Sequence, residues 1–216
     1  GNPSLNIPGI SATTLRPMIY EQFTTQWGLN IQIQRFQHYS GLGLGEHTLF
    51  VDLPVAAAHA DNNFYQGCTE SRSRLYANMY EPIWDGGANG TPVNENNHYA
   101  LYIYQLAQTY KDHVRFWEII NEPDQDWGMV GWKDASYTDS WWQNAPNACQ
   151  LKNIYVPIYR YIRLLRISYE VIKYVDQTAY VTPGGIGYPS FLDCLLRYTD
   201  NPADGTVSTQ YPVTGG

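Results

Sequence analysis

The chain has 216 residues and a net charge of −7, from 20 acidic and 13 basic side chains. Hydrophobic residues make up 44% and charged ones 15%, which excludes a disordered chain. The acidic balance, without clustered Lys and Arg, disfavours nucleic acid or an anionic membrane surface as partner, and no 18-residue apolar run is present to span a membrane.

Residues 1 to 12 are polar, with Gly and Pro, and read as a lead-in loop. Thr13-Thr14 is placed to cap a helix running to Trp27, with Pro17 in its first turn and Gly28 as its stop. Leu29 to Phe36 alternates apolar and polar residues and predicts a strand. Gln37, His38 and Tyr39 follow it and would line the mouth at its end. The Gly-rich stretch Ser40 to Gly45 lacks both the dinucleotide fingerprint and the phosphate-binding Gly-Lys-Ser/Thr, so it reads as a loop. Glu46 to Asn62 carries no decisive pattern.

Asn63 to Arg74 is predicted helical, and Leu75 to Ile83 a strand that runs into Trp84-Asp85. Gly86 to Pro92 is rich in turn residues. Asn94 to His113 is a predicted helix, with Tyr99, Ile103, Leu106 and Tyr110 on one face. Val114 to Ile120 is short and rich in Val, Ile, Phe and Trp, the signature of a buried strand. Pro123 cannot donate a ladder hydrogen bond and restricts the residue before it, so the strand stops there. Asn121 and Glu122 are thereby placed at a strand's carboxyl end, where ligands bind in parallel α/β sheets and barrels. A carboxylate held partly dry at such a place can have its pKa raised and deliver a proton. The alternative is a helix start, with Asn121 as cap and Glu122-Pro123 in the first turn.

Asp124 to Lys152 is a long loop that holds Trp127, Trp132, Trp141 and Trp142, four of the seven Trp. Loops of this length in compact domains are functional or disordered, and so aromatic a segment argues for an ordered cleft wall with Trp127 nearest the site, or for a hydrophobic plug beneath the loop. Asn153 to Asp176 is the longest predicted helix, Ala179 to Thr182 the next strand, and Pro189 to Tyr198 a helix. The alternation of strands and helices implies βαβ units and a parallel sheet, an α/β fold.

Trp117-Glu118-Ile119-Ile120-Asn121-Glu122-Pro123 resembles the strand-four signature of the clan-A retaining glycoside hydrolases, which are (β/α)8 TIM barrels. The resemblance implies Glu122 as general acid/base and Asn121 as the residue that bonds the sugar's 2-hydroxyl. Arg35, at the end of a predicted strand, is similar in position to the clan's strand-two Arg, and an ordinary surface role is the alternative. Trp84, in a Pro-x-Trp at a strand end, is similar to the clan's aromatic border of the sugar subsite, or else is a buried loop anchor. Gln37, His38 and Trp127 complete the candidate substrate contacts. The 19 Tyr and seven Trp suit a sugar-handling protein, since flat rings stack on sugar C–H faces, although aromatics also fill cores.

The resemblance covers about strands two to five of the barrel, with the first unclear and strands six to eight without counterpart. A complete barrel takes about 250 residues. The clan's nucleophile is a second Glu on strand seven, and no residue here takes that place. Glu118 lies roughly 13 Å from Glu122 along the strand, far beyond the ~5–5.5 Å that a retaining pair needs, and reads as a barrel-interior residue. The expectation is therefore a single glycosidase catalytic domain, of which residues 1–216 form the N-terminal part and the complementary half of the barrel completes it. The expected partner is a carbohydrate substrate, and an extracellular or periplasmic setting would suit polysaccharide degradation. A non-catalytic carbohydrate-binding protein is the alternative. Cys68, Cys149 and Cys194 match no metal spacing and imply no bridge, and no metal or organic cofactor is implied.

Overall fold

The computed structural model describes residues 13–63, 75–125, 156, 158–197 and 200. In chain order it gives β1 (Met18–Tyr20), α1 (Glu21–Trp27), α2 (Ile33–Gly41), β2 (His47–Asp52), α3 (His98–Tyr110), β3 (Val114–Ile119), α4 (Ile158–Val175), β4 (Tyr180–Pro183) and α5 (Pro189–Arg197). The four strands form one sheet in the order β1-β2-β3-β4, and every pairing is parallel. The order is sequential, with no reversal. Ile19, Val51, Ile119 and Pro183 stand side by side across the sheet, as do Met18, Phe50, Glu118 and Thr182.

Strand side chains alternate between faces, so these two rows point opposite ways. Ile19, Leu49, Val51, Trp117 and Ile119 share one core with Tyr99, Ile103 and Leu106 of α3 and Tyr161, Leu164, Ile167 and Val171 of α4. Each large apolar side chain buried there contributes about 1.5–3 kcal/mol. The second face carries Met18, Phe50, Phe116, Glu118, Tyr180 and Thr182. Phe116 and Tyr180 stack at 5.3 Å between ring centroids. Met18 and Tyr180 are exposed, and Phe50 is sheltered by the Arg16 guanidinium 4.4 Å above its ring.

The β3, α3, α4, β4 and α5 expectations match the structure to within a few residues, whereas three others do not. Thr13 to Trp27 is not one helix: Met18–Tyr20 pairs as β1 before α1 begins. Leu29 to Phe36 is not a strand but a turn that leads into α2. Tyr110 decides this locally, because its hydroxyl donates to the Leu29 carbonyl at 2.6 Å and accepts from the Gln32 amide at 3.0 Å. Only Phe36 of α2 is buried. Leu75 to Ile83 is also not a strand. Leu75, Tyr76, Met79 and Ile83 enter the core, but side chains satisfy the backbone: Arg163 and Asn97 both donate to the carbonyls of Met79 and Glu81. β2 is the second strand missing from the sequence reading, beside β1, and it lies inside the stretch that showed no decisive pattern. The predicted helix Asn63 to Arg74 lies, but for Asn63, outside the described residues.

Candidate functional site

The chemistry-bearing residues gather where β1, β2 and β3 end. Asp52 is the last residue of β2, and Ile120, Asn121 and Glu122 follow β3 directly. Residues 121–125 form bends and turns, so Asn121 does not cap a helix. The backbone leaves β3 through two left-handed residues, Ile120 at φ 57° and Glu122 at φ 46°. A β-branched residue at positive φ is an outlier, and such strain, about 1–3 kcal/mol per residue, persists only where the surroundings enforce it.

The surroundings here are specific. The Ile120 amide donates to the Val51 carbonyl at 2.8 Å. The Tyr161 hydroxyl, buried, donates to the Ile119 carbonyl at 2.7 Å and accepts from the Gly184 amide at 2.9 Å. Gly184 passes so close that a Cβ there would lie 1.6 Å from the Ile120 carbonyl oxygen. Beyond Pro123, the buried Asp124 carboxyl accepts from the Tyr188 amide at 2.7 Å and ties this turn to the segment after β4. Burial pushes the Asp124 pKa up, with the Glu122 charge adding to it, while the backbone amides it accepts from oppose the rise.

Glu122 itself is exposed. The partly dry carboxylate was expected of Glu122, which is exposed; the buried carboxyl beside it is that of Asp124. Asn121 is half-buried. Its amide N–H points to Asp52 Oδ1 at 3.4 Å, and its side-chain Oδ1 accepts from Arg16 Nη2 at 3.3 Å. Arg16 also grips Glu118 with both ends of its fork, Nε to Oε2 at 2.6 Å and Nη2 to Oε1. The Glu118 carboxylate holds the Arg16 guanidinium in its charged form, raising its pKa. Burial raises the Asp52 carboxyl pKa, against the pull of the Leu53 and Asn121 amides and the Arg16 charge. At the end of β1 the buried Glu21 carboxylate accepts from the Ala56 amide at 3.0 Å and meets His59 Nδ1 at 2.7 Å.

The structure keeps Asn121 and Glu122 together and separates the other candidates from them. Arg35, Gln37 and His38 lie exposed on α2, not at a strand's carboxyl end. Phe36 of that helix stacks on His47, the first residue of β2, and on His113, just before β3. The helix thus sits at the sheet's amino edge, the opposite rim. Trp84 donates from Nε1 to Glu170 at 3.1 Å and packs 5.1 Å from Tyr174. Both partners are in the last turns of α4, which leads back to the amino edge, so Trp84 is an anchor on the outer helix. Trp127 lies outside the described residues.

Sequence reasoning missed Arg16 and Asp52. The signal for Asp52 was present, since Thr-Leu-Phe-Val is a short β-prone run that ends in Asp-Leu-Pro. Arg16 was hidden by the helix-cap reading of Thr13-Thr14. No group of three or more His, Cys, Asp or Glu among the described residues is arranged to hold a metal ion. No described helix is long and apolar enough to cross a membrane. The chain matches no family model, no curated protein and no solved structure.

Proposed function

We propose that this chain is part of a retaining glycoside hydrolase, with its sheet as one arc of a (β/α)8 barrel and Glu122 as the general acid/base. One observation carries the reading: Asn-Glu-Pro follows β3 directly at the carboxyl edge of a parallel sheet, on a backbone bent through positive φ at Ile120 and Glu122. That edge is where parallel α/β folds place their chemistry. The sequential strand order, with the main cluster of buried described residues on one face of the sheet, supports the barrel arc. In it the second face, with Glu118, Phe116 and Thr182, becomes the barrel's interior. The complementary half of the barrel supplies the remaining strands.

The mechanism is double displacement. Glu122, protonated, gives its proton to the leaving-group oxygen as the glycosidic bond breaks. A carboxylate from the complementary half attacks the anomeric carbon and forms the glycosyl ester. Glu122, now ionised, then takes a proton from the water that hydrolyses this ester. Asn121 bonds the sugar's 2-hydroxyl, an interaction that accelerates the reaction to the extent that it tightens in the transition state.

The test is Glu122→Ala in the complete protein, assayed on an activated aryl glycoside. Turnover is expected to fall by about a thousandfold, and azide is expected to restore it with formation of a glycosyl azide. Undiminished turnover would reject the role. Calorimetric binding of oligosaccharides by a wild-type protein that cleaves none of them would establish the non-catalytic carbohydrate-binding reading instead.

A further inference from the structure

The side-chain amide of Asn121 is held in one orientation by a residue remote in sequence. Arg16 lies two residues ahead of β1, on the same face of the sheet as Phe50 and Glu118. Its guanidinium rests on the Phe50 ring, 4.4 Å from the centroid. Its Nε and Nη2 both pair with the Glu118 carboxylate, and Nη2 also reaches Asn121 Oδ1 at 3.3 Å. Three contacts, on β2, on β3 and on the turn just past β3, fix the plane and the direction of one planar group. A guanidinium only donates hydrogen bonds. The amide must therefore turn its oxygen toward Arg16, because the flipped amide would set an NH2 against N–H donors. Nδ2 is left as the end that faces away from Arg16.

We propose that Arg16, anchored by Glu118, is a positioning residue that makes Asn121 a fixed hydrogen-bond donor, so that the site reads an accepting oxygen on its ligand. In the hydrolase reading, on which the ligand's identity rests, that oxygen is the 2-hydroxyl of the sugar. A lysine cannot substitute, since an ammonium is a point charge and lacks the planar fork that spans Glu118 and Asn121 together. The arrangement also gives Glu118 a purpose on the sheet's second face. It is the counter-charge that keeps Arg16 in place.

The test uses the side-chain amide resonances of Asn121 in the 15N-labelled full chain, assigned by their loss in Asn121→Asp. In the wild type the two amide protons are expected at well-separated shifts, with slow exchange against solvent. Arg16→Met and Arg16→Lys should both move these resonances toward the values of a freely turning amide. Glu118→Gln, which keeps the shape of the anchor and removes its charge, should move them part of the way and serves if the Arg16 variants fail to fold. Resonances that stay put in the folded variants would overturn the proposal. In the complete protein, the preference for a 2-hydroxy over a matched 2-deoxy aryl glycoside should fall by about tenfold in Arg16→Met, the worth of one hydrogen bond. A preference that survives in an active Arg16→Met would overturn the role in recognition. A wild type that turns over neither glycoside removes the hydrolase reading alone, because the amide resonances decide the positioning role without turnover.

Discussion

Gly184 is where the site's geometry depends most sharply on a single residue. Its backbone crosses beside the end of β3 so closely that a methyl group would lie 1.6 Å from the Ile120 carbonyl oxygen. No flexible side chain can yield there, because the obstacle is main chain. Gly184→Ala should therefore push β4 away from the strained turn and cost about 3 kcal/mol or more, read as a lower midpoint in urea unfolding. Tyr161→Phe tests the same crossing with less disturbance. It leaves the Ile119 carbonyl and the Gly184 amide without their shared hydroxyl, and the two groups keep only each other at 3.0 Å. A loss of about 1–3 kcal/mol is expected, and an unchanged midpoint would mean that this hydroxyl does not hold the crossing. At this scale the sequence was partly legible. Pro183-Gly184-Gly185 announces a strand exit, and Asn121-Glu122-Pro123 announces a strand end. The positive φ at Ile120 and Glu122 was not readable, because neither residue type favours that conformation.

Among the elements, α3 shows how one side chain joins a helix to a segment that has no secondary structure of its own. Asn97 is fully buried. Its Oδ1 accepts from the Ala100 amide at 3.0 Å and caps the helix, while its Nδ2 donates to the carbonyls of Met79 and Glu81 at 3.2 and 2.9 Å. Asn97→Ala loses the cap and two donors, and about 2 kcal/mol or more is expected. Asn97→Asp keeps the cap acceptor but turns a carboxylate oxygen toward two carbonyl oxygens in a buried place. It should destabilise more than Asn97→Ala at neutral pH, which would not follow if capping alone mattered. This contact also explains why Leu75 to Ile83 misled the sequence reading. Its apolar residues do enter the core, yet the Met79 and Glu81 carbonyls, which a neighbouring strand would have satisfied, are taken by Asn97 and Arg163. Alternation in Leu29 to Phe36 failed for a related reason, with the Tyr110 hydroxyl closing a turn where a ladder was expected. In contrast, α3 and α4 carry helical stripes, β3 a short run dense in Val, Ile, Phe and Trp, and α5 several apolar residues, all in agreement with their tertiary surroundings, and those were readable.

The stability of the whole molecule gathers these local terms, and two histidines give it a pH dependence with a definite sign. His47 is buried at the start of β2. Its Nδ1 accepts from the Leu15 amide at 3.2 Å, so the proton of the neutral ring sits on Nε2 and faces Ser40 Oγ at 2.9 Å. Protonation at Nδ1 would set a donor against the Leu15 amide and loosen the lead-in to β1. Burial, helped by the His113 charge, lowers the His47 pKa. Burial likewise lowers that of His98, which stacks on His59 at 4.3 Å. Each ring therefore takes up its proton more readily in the unfolded chain. Their stabilising contribution is complete above the unfolded value of about 6.5 and is lost as pH falls through that value toward the folded ones. Asp52 and Asp124 act oppositely. Their folded pKa values are raised, so acid relieves the cost of burying their charge, in a window nearer the carboxylate range. Between about pH 7.5 and 5.5, near the histidine range, the histidines should dominate and the unfolding free energy should decline. His47→Asn isolates one of them, because its Oδ1 stands near the place of Nδ1 and still accepts from Leu15. The variant should be less stable than wild type at pH 7.5, having lost the Ser40 bond and the stacking on Phe36, and the difference should shrink toward pH 5.5. A gap that stays constant across the range would assign the acid sensitivity to groups other than His47.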